Sequence, residues 1–181
     1  MEKEIFENFR EQIETANFEN GIPEKYAQIP EEVVAKLLED QKTITAAESL
    51  TAGLFQATVA SIPHASSVFE GGYVTYSDEM KEKMLHIPSK VIKVHTVVSA
   101  PVAQQMAEST AVMLGKDLGV GITGVAGPDP LENSPVGTVF IGVYDKFKNS
   151  VDVKEFHFDG SRNAVRRKAV ISALVLVREV A

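Results

Sequence analysis

The chain contains no cysteine. That excludes disulfides, zinc–thiolate centres and cysteine nucleophiles together, and suits a reducing compartment. Long apolar runs are missing too: none approaches the roughly 20 residues of a membrane span. The acidic N-terminus has no resemblance to a secretory signal, so the expected location is cytoplasmic, away from membranes. The four histidines, His64, His86, His95 and His157, show no paired spacing, and no metal site or other cofactor is expected. A basic excess is lacking as well. Residues 1–40 carry the whole net charge of −7, while the remainder is balanced. A nucleic-acid binder needs positive charge against phosphates, so that class is disfavoured.

At 181 residues the chain is long enough for one domain without covalent staples. Residues 2–17 place Ile5, Phe6, Phe9 and Ile13 at helical spacing among charges. Gly21, Pro23 and Pro30 then punctuate an irregular stretch, so residues 1–30 read as an acidic helical arm separable from a body of residues 31–181. The arm's apolar stripe suits core packing or a contact between subunits, and a homo-oligomer is expected.

In the body, helix 30–40 precedes strand 43–47 and a helix running from near Ser49 to Ile62. Residues 69–76 read as a strand, 78–85 as a short helix, 100–114 as a long helix capped by Ser99, and 118–123 as a strand. Two antiparallel strands, 137–144 and 151–158, and a helix 162–180 complete the pattern. Alternating strands and helices that end in a hairpin predict an α/β fold: a three-layer α/β/α sandwich with a mixed sheet.

The residues that carry chemistry cluster around TAAESLTAG. An apolar strand running into Glu48 and Ser49 would expose the serine oxygen at a turn and aim unpaired helix N–H groups at what it attacks. Serine needs a base, and no His–Asp partnership is evident; Lys81, in VTYSDEMK, can serve if burial keeps it neutral. Alternatively Ser49 is a helix cap, Lys81 is solvated, and Ser77 pairs with Lys81 across one turn. Gly121, Gly124 and Gly127 in GITGVAGP lack the spacing of a phosphate-binding loop. They make either a glycine-rich turn or a nest whose N–H groups, with Thr123, hold a phosphate or ribose. Arg162 and Arg166, one helical turn apart, either reach a phosphate or form an exposed basic face.

Six segments in order, AESLTAG, YVTYSDEMK, VVSAPVAQQMAE, ITGVAGP, PVGTVFIGV and GSRNAVRRKAV, resemble the C-terminal domain of the CinA family, the nicotinamide mononucleotide deamidases, in its stand-alone form. The resemblance spans about Thr43 to Leu176. It implies hydrolysis of the nicotinamide amide to nicotinate mononucleotide and ammonia without metal, through an acyl-enzyme. Ser49 is the implied nucleophile, Lys81 its base, and Tyr76 a neighbour in the catalytic site. Glu48, Thr51, Gly53, Thr123, Gly124, Gly127 and Arg162 are expected at the small-molecule nucleotide substrate. Leu50 and Ala52 stand where the family commonly has Cys and Gly; Gly71 stands in place of an arginine, and no lysine precedes PVG. Fewer positive charges imply weaker phosphate binding, which leaves open a nucleotide-binding protein of the same fold with little catalysis.

Overall fold

The apolar run before Ser49 becomes β1 (Ile44–Glu48), every residue of which is buried. It lies between parallel neighbours, β2 (Tyr73–Val74) and β3 (Leu118–Gly124). β4 (Thr138–Asp145) and β5 (Ser150–His157) continue the sheet antiparallel, giving the order β2-β1-β3-β4-β5. A strand buried on both faces is mainly apolar, and Ile44, Ala46, Leu118, Val120 and Ile122 supply that, while the buried Thr45, Glu48 and Thr123 are hydrogen-bonded. The computed structural model describes residues 3–181, with side chains from residue 4.

One face of the sheet is covered by α6 (Ala100–Leu114), with α4 (Asp78–Leu85) and α5 (Ser89–His95) packed against it. Gly119 and Gly121 allow this close approach, since a Cβ on either would stand 2.1 and 2.3 Å from the Ala107 and Ala103 carbonyl oxygens. The other face carries α7 (Arg162–Val180), flanked by α1 (Lys3–Thr15), α2 (Ile29–Glu39) and α3 (Leu54–Ala60). This is the mixed-sheet α/β/α sandwich expected. No described helix is long and apolar enough to cross a membrane.

The differences have local causes. The helix expected from Ser49 starts only at Leu54, because Ala52 (φ 49°) and Gly53 (φ 91°) are left-handed and cannot continue a helix backward. The strand expected over 69–76 shrinks to Tyr73–Val74, with Phe69 making an isolated bridge to Ile44. The seven-residue α5 has no expected counterpart.

The N-terminal arm is not set apart from the body. Phe6, Ile13 and Phe18 are buried in the same core as Val139, Phe156 and Val165. The Phe6 ring meets Phe156 edge-on at 6.1 Å, and Phe18 stacks on Tyr26 at 5.4 Å. Lys168 is buried too, and its ammonium donates to the carbonyls of Glu14 and Asp159, both at 2.7 Å. The arm thus closes over the α7 face and satisfies a buried cation there. Met1 and Glu2, the latter expected in the first helix, lie outside the described residues.

Candidate functional site

The carboxyl ends of β1 and β3 open into a cleft of about 330 Å³, where parallel sheets generally present their sites. Ser49, Leu50, Tyr76, Asp78, Lys81, Thr123, Gly124, Gly127 and Arg162 are among its walls. Ser49 follows the last residue of β1 and is fixed by its own N–H, which donates to the Ile122 carbonyl at 2.9 Å. Lys81 reaches it from the first turn of α4, a helix capped by the Ser77 hydroxyl, which accepts the Met80 N–H at 3.2 Å. Ser77 is therefore engaged in capping. The Lys81 ammonium instead lies 3.1 Å from Ser49 Oγ and donates to the Thr75 carbonyl at 2.9 Å.

The environment of this pair decides its chemistry. Lys81 is 1% exposed. Burial disfavours its charged form and brings its pKa down from 10.5 to about 8, while the carboxylate of Asp78 opposes that shift. About a tenth of Lys81 is thus neutral at pH 7, with a lone pair free to accept the serine proton. Ser49, 8% exposed, keeps its oxygen on the cleft surface. The fold brings these two residues together; the helix-cap alternative for Ser49 does not apply, since α3 starts five residues later.

Several other expectations are corrected. Glu48 is fully buried and is no substrate ligand: its carboxylate accepts the N–H groups of Gly53, Phe55 and Gln56 at 3.0, 3.1 and 2.9 Å. It therefore caps α3 in the helix's most positive region. The Gly53 N–H is consumed there, and the amides at the start of α3 are not available to an oxyanion. Thr51 is completely buried and does not line the cleft. Among the described residues, the amides of Leu50 and Thr51 donate to no protein partner.

Thr123, Gly124 and Gly127 stand on the opposite wall, but the Thr123 hydroxyl already donates to the Val97 carbonyl at 2.7 Å. Its proton fastens the Val97–Val98 wall and is not offered to a ligand. Tyr76 is 54% exposed at the rim, where its hydroxyl accepts from Arg162. Arg162 also donates to the Gly127 carbonyl and thereby spans the cleft between its two walls. Both acceptors are neutral, so its charge remains available to an anion.

Arg166 does not reach the cleft. Its guanidinium donates to the carbonyls of Leu50 and Thr51 at 3.0 and 2.8 Å and holds the serine turn from behind. Neither the Glu48 cap nor this clamp was legible beforehand. An acid just before a helix signals a cap, but only once the helix start is known. Gly71 and Ser134, where arginine and lysine are absent, do not line the cleft. Among the described residues no group of three His, Asp or Glu is placed to hold a metal ion.

A family model described as the CinA C-terminal domain matches residues 26–181. A competence-damage inducible protein of Listeria welshimeri is 47% identical over 150 residues, which are 83% of this chain and 36% of that protein. One of Streptococcus pyogenes is 54% identical over 144 residues, 79% of this chain and 34% of the relative. The chain thus spans about a third of the length of these curated relatives. The crystal structure of competence damage-inducible protein A from Klebsiella pneumoniae superposes with a TM-score of 0.82 at 29% identity, over 85% of this chain and 95% of that one. A CinA superfamily protein from Escherichia coli gives 0.82 at 26% identity, over 95% and 97%.

Proposed function

Because the chain belongs to the CinA C-terminal domain family, we propose that it is an amidohydrolase that converts nicotinamide mononucleotide to nicotinate mononucleotide and ammonia through an acyl-enzyme on Ser49. The observation that carries this reading is the buried contact of 3.1 Å between Lys81 Nζ and Ser49 Oγ on the wall of a cleft. In its neutral form Lys81 keeps one N–H on the Thr75 carbonyl and turns its lone pair to the serine hydroxyl, so the contact then runs from serine to lysine.

Ser49 Oγ bonds to the carboxamide carbon as its proton passes to Lys81. The oxyanion formed is met by the amide of Leu50, which lines the cleft and has no other protein acceptor among the described residues. The C–N bond breaks, and the nitrogen leaves as ammonia with the proton from Lys81. A water molecule, deprotonated by the same lysine, then adds to the ester carbon and releases nicotinate mononucleotide and free Ser49. Arg162, with its charge open at the rim, suits the nucleotide phosphate.

The test is ammonia release from nicotinamide mononucleotide by the parent, Ser49→Ala, Lys81→Ala and the double variant. Each single change is expected to remove at least about three orders of magnitude in rate, with the double little worse, since each abolishes the same covalent route. A parent-like rate for Ser49→Ala would overturn the proposal.

A further inference from the structure

The first two turns of α7 face two ways. Towards the cleft, Arg162 holds Tyr76 and the Gly127 carbonyl, and Arg166 holds the serine turn. Towards the arm, the Arg167 guanidinium donates to the Phe18 and Glu19 carbonyls at 2.9 and 3.2 Å, and Lys168 donates to Glu14. The start of the helix joins the two sides. Ser161 caps it by accepting the Ala164 N–H at 3.4 Å. The Glu19 carboxylate in turn accepts the Ser161 N–H at 2.8 Å and the Ser161 hydroxyl proton.

Gly160 makes room for this contact. Its φ is +111°, and a Cβ there would stand 2.9 Å from Glu19 Oε1. Glu14, Phe18 and Glu19 all precede the matched residues 26–181. The carboxylate that secures the helix therefore comes from a segment outside the family domain.

We infer that Glu19 is a positioning residue for the cleft: the arm fixes the start of α7 and, through it, the setting of Arg162 at the rim. A helix's first turn is where its backbone frays, because its N–H groups have no partner within the helix. Glu19 binds both polar groups of Ser161, the residue next to Arg162, and adds a negative charge near the helix's positive end. The effect falls on ligand capture. Ser49 and Lys81 stand on β1 and α4, and Arg166, one turn beyond Arg162, keeps its own two bonds to the serine turn. The inference rests on the proposed function only for the ligand that reports on it.

The experiment uses the full chain, with Glu19→Ala, Glu19→Gln and Arg162→Met, nicotinamide mononucleotide as probe, and amide NMR as a second readout. Glu19→Ala is expected to raise KM about tenfold with kcat within about twofold, a positioning loss and not a chemical one. Glu19→Gln keeps an oxygen for the Ser161 N–H, so its KM rises only about threefold. Adding Glu19→Ala to Arg162→Met changes little further, since both act through one group. The amide signals of Tyr76 and Gly127, across the cleft from the arm, shift in Glu19→Ala. Parental KM with unmoved Tyr76 and Gly127 signals overturns the inference, even where the melting temperature falls. So do fully additive effects of Glu19→Ala and Arg162→Met. If the Tyr76 and Gly127 signals move but the parent releases no ammonia, the coupling stands and the amidase reading alone fails.

Discussion

Replacing Lys81 with methionine is expected to stabilise the protein while abolishing turnover. Burial lowers the lysine pKa from 10.5 to about 8, and each unit corresponds to about 1.4 kcal/mol, so holding this side chain inside costs about 3 kcal/mol at pH 7. Its two hydrogen bonds, to Ser49 and Thr75, return roughly 1 kcal/mol each. Methionine fills a similar volume without a charge, which leaves a net gain of about 1 kcal/mol. The sign follows from proton counts. Between pH 8 and 10.5 the unfolded chain holds more protons on Lys81 than the folded one, so the parent gains stability as pH rises through that window. The advantage of the variant is therefore largest below pH 8, is gone by about pH 9 and reverses towards pH 10.5, where only the lost hydrogen bonds count.

The same shift governs the parent's rate. It raises the neutral fraction of Lys81 at pH 7 about 300-fold over a free lysine, so turnover should climb with pH and level off above about 8. Urea midpoints at about pH 7 and about pH 10, with single-turnover ammonia release across that range, check both halves. A methionine variant less stable than the parent at pH 7, combined with a flat pH–rate profile, would refute the burial argument.

Three further outcomes follow from the packing. Arg166→Met frees the Leu50 and Thr51 carbonyls and loosens the serine turn; kcat should fall about tenfold to a hundredfold with KM little changed, as steady-state kinetics would record. Glu48→Gln removes the charge that receives three amides of α3 and should cost about 1–3 kcal/mol by chemical denaturation; an unchanged midpoint would refute the capping role. Deleting residues 1–19 strips Phe6, Ile13 and Phe18 from the core and leaves Lys168 facing fewer acceptors, a loss of at least about 5 kcal/mol. That approaches the whole stability of a domain, so circular dichroism should find no cooperative melt; a sharp parental transition would show the arm to be dispensable.

The sequence by itself determined the layers of this protein. Strand and helix periodicities depend on neighbours a few residues apart, and the apolar run before Ser49, the 138–157 hairpin and the helix from Arg162 are all local patterns. Through AESLTAG and YVTYSDEMK and the family they resemble, it also pointed to Ser49 and Lys81, which the fold places 3.1 Å apart. Only the tertiary structure decided the rest. Whether Lys81 is buried depends on which surfaces close over α4, and that sets its protonation. Glu48 passes from substrate ligand to helix cap because two left-handed residues delay α3 to Leu54, a backbone choice with no clear trace in composition. The arm, acidic and separable on charge alone, joins the core because Phe6, Ile13 and Phe18 meet apolar surfaces more than a hundred residues away in the chain. Pairings over such separations are fixed by packing and leave no local periodicity to read.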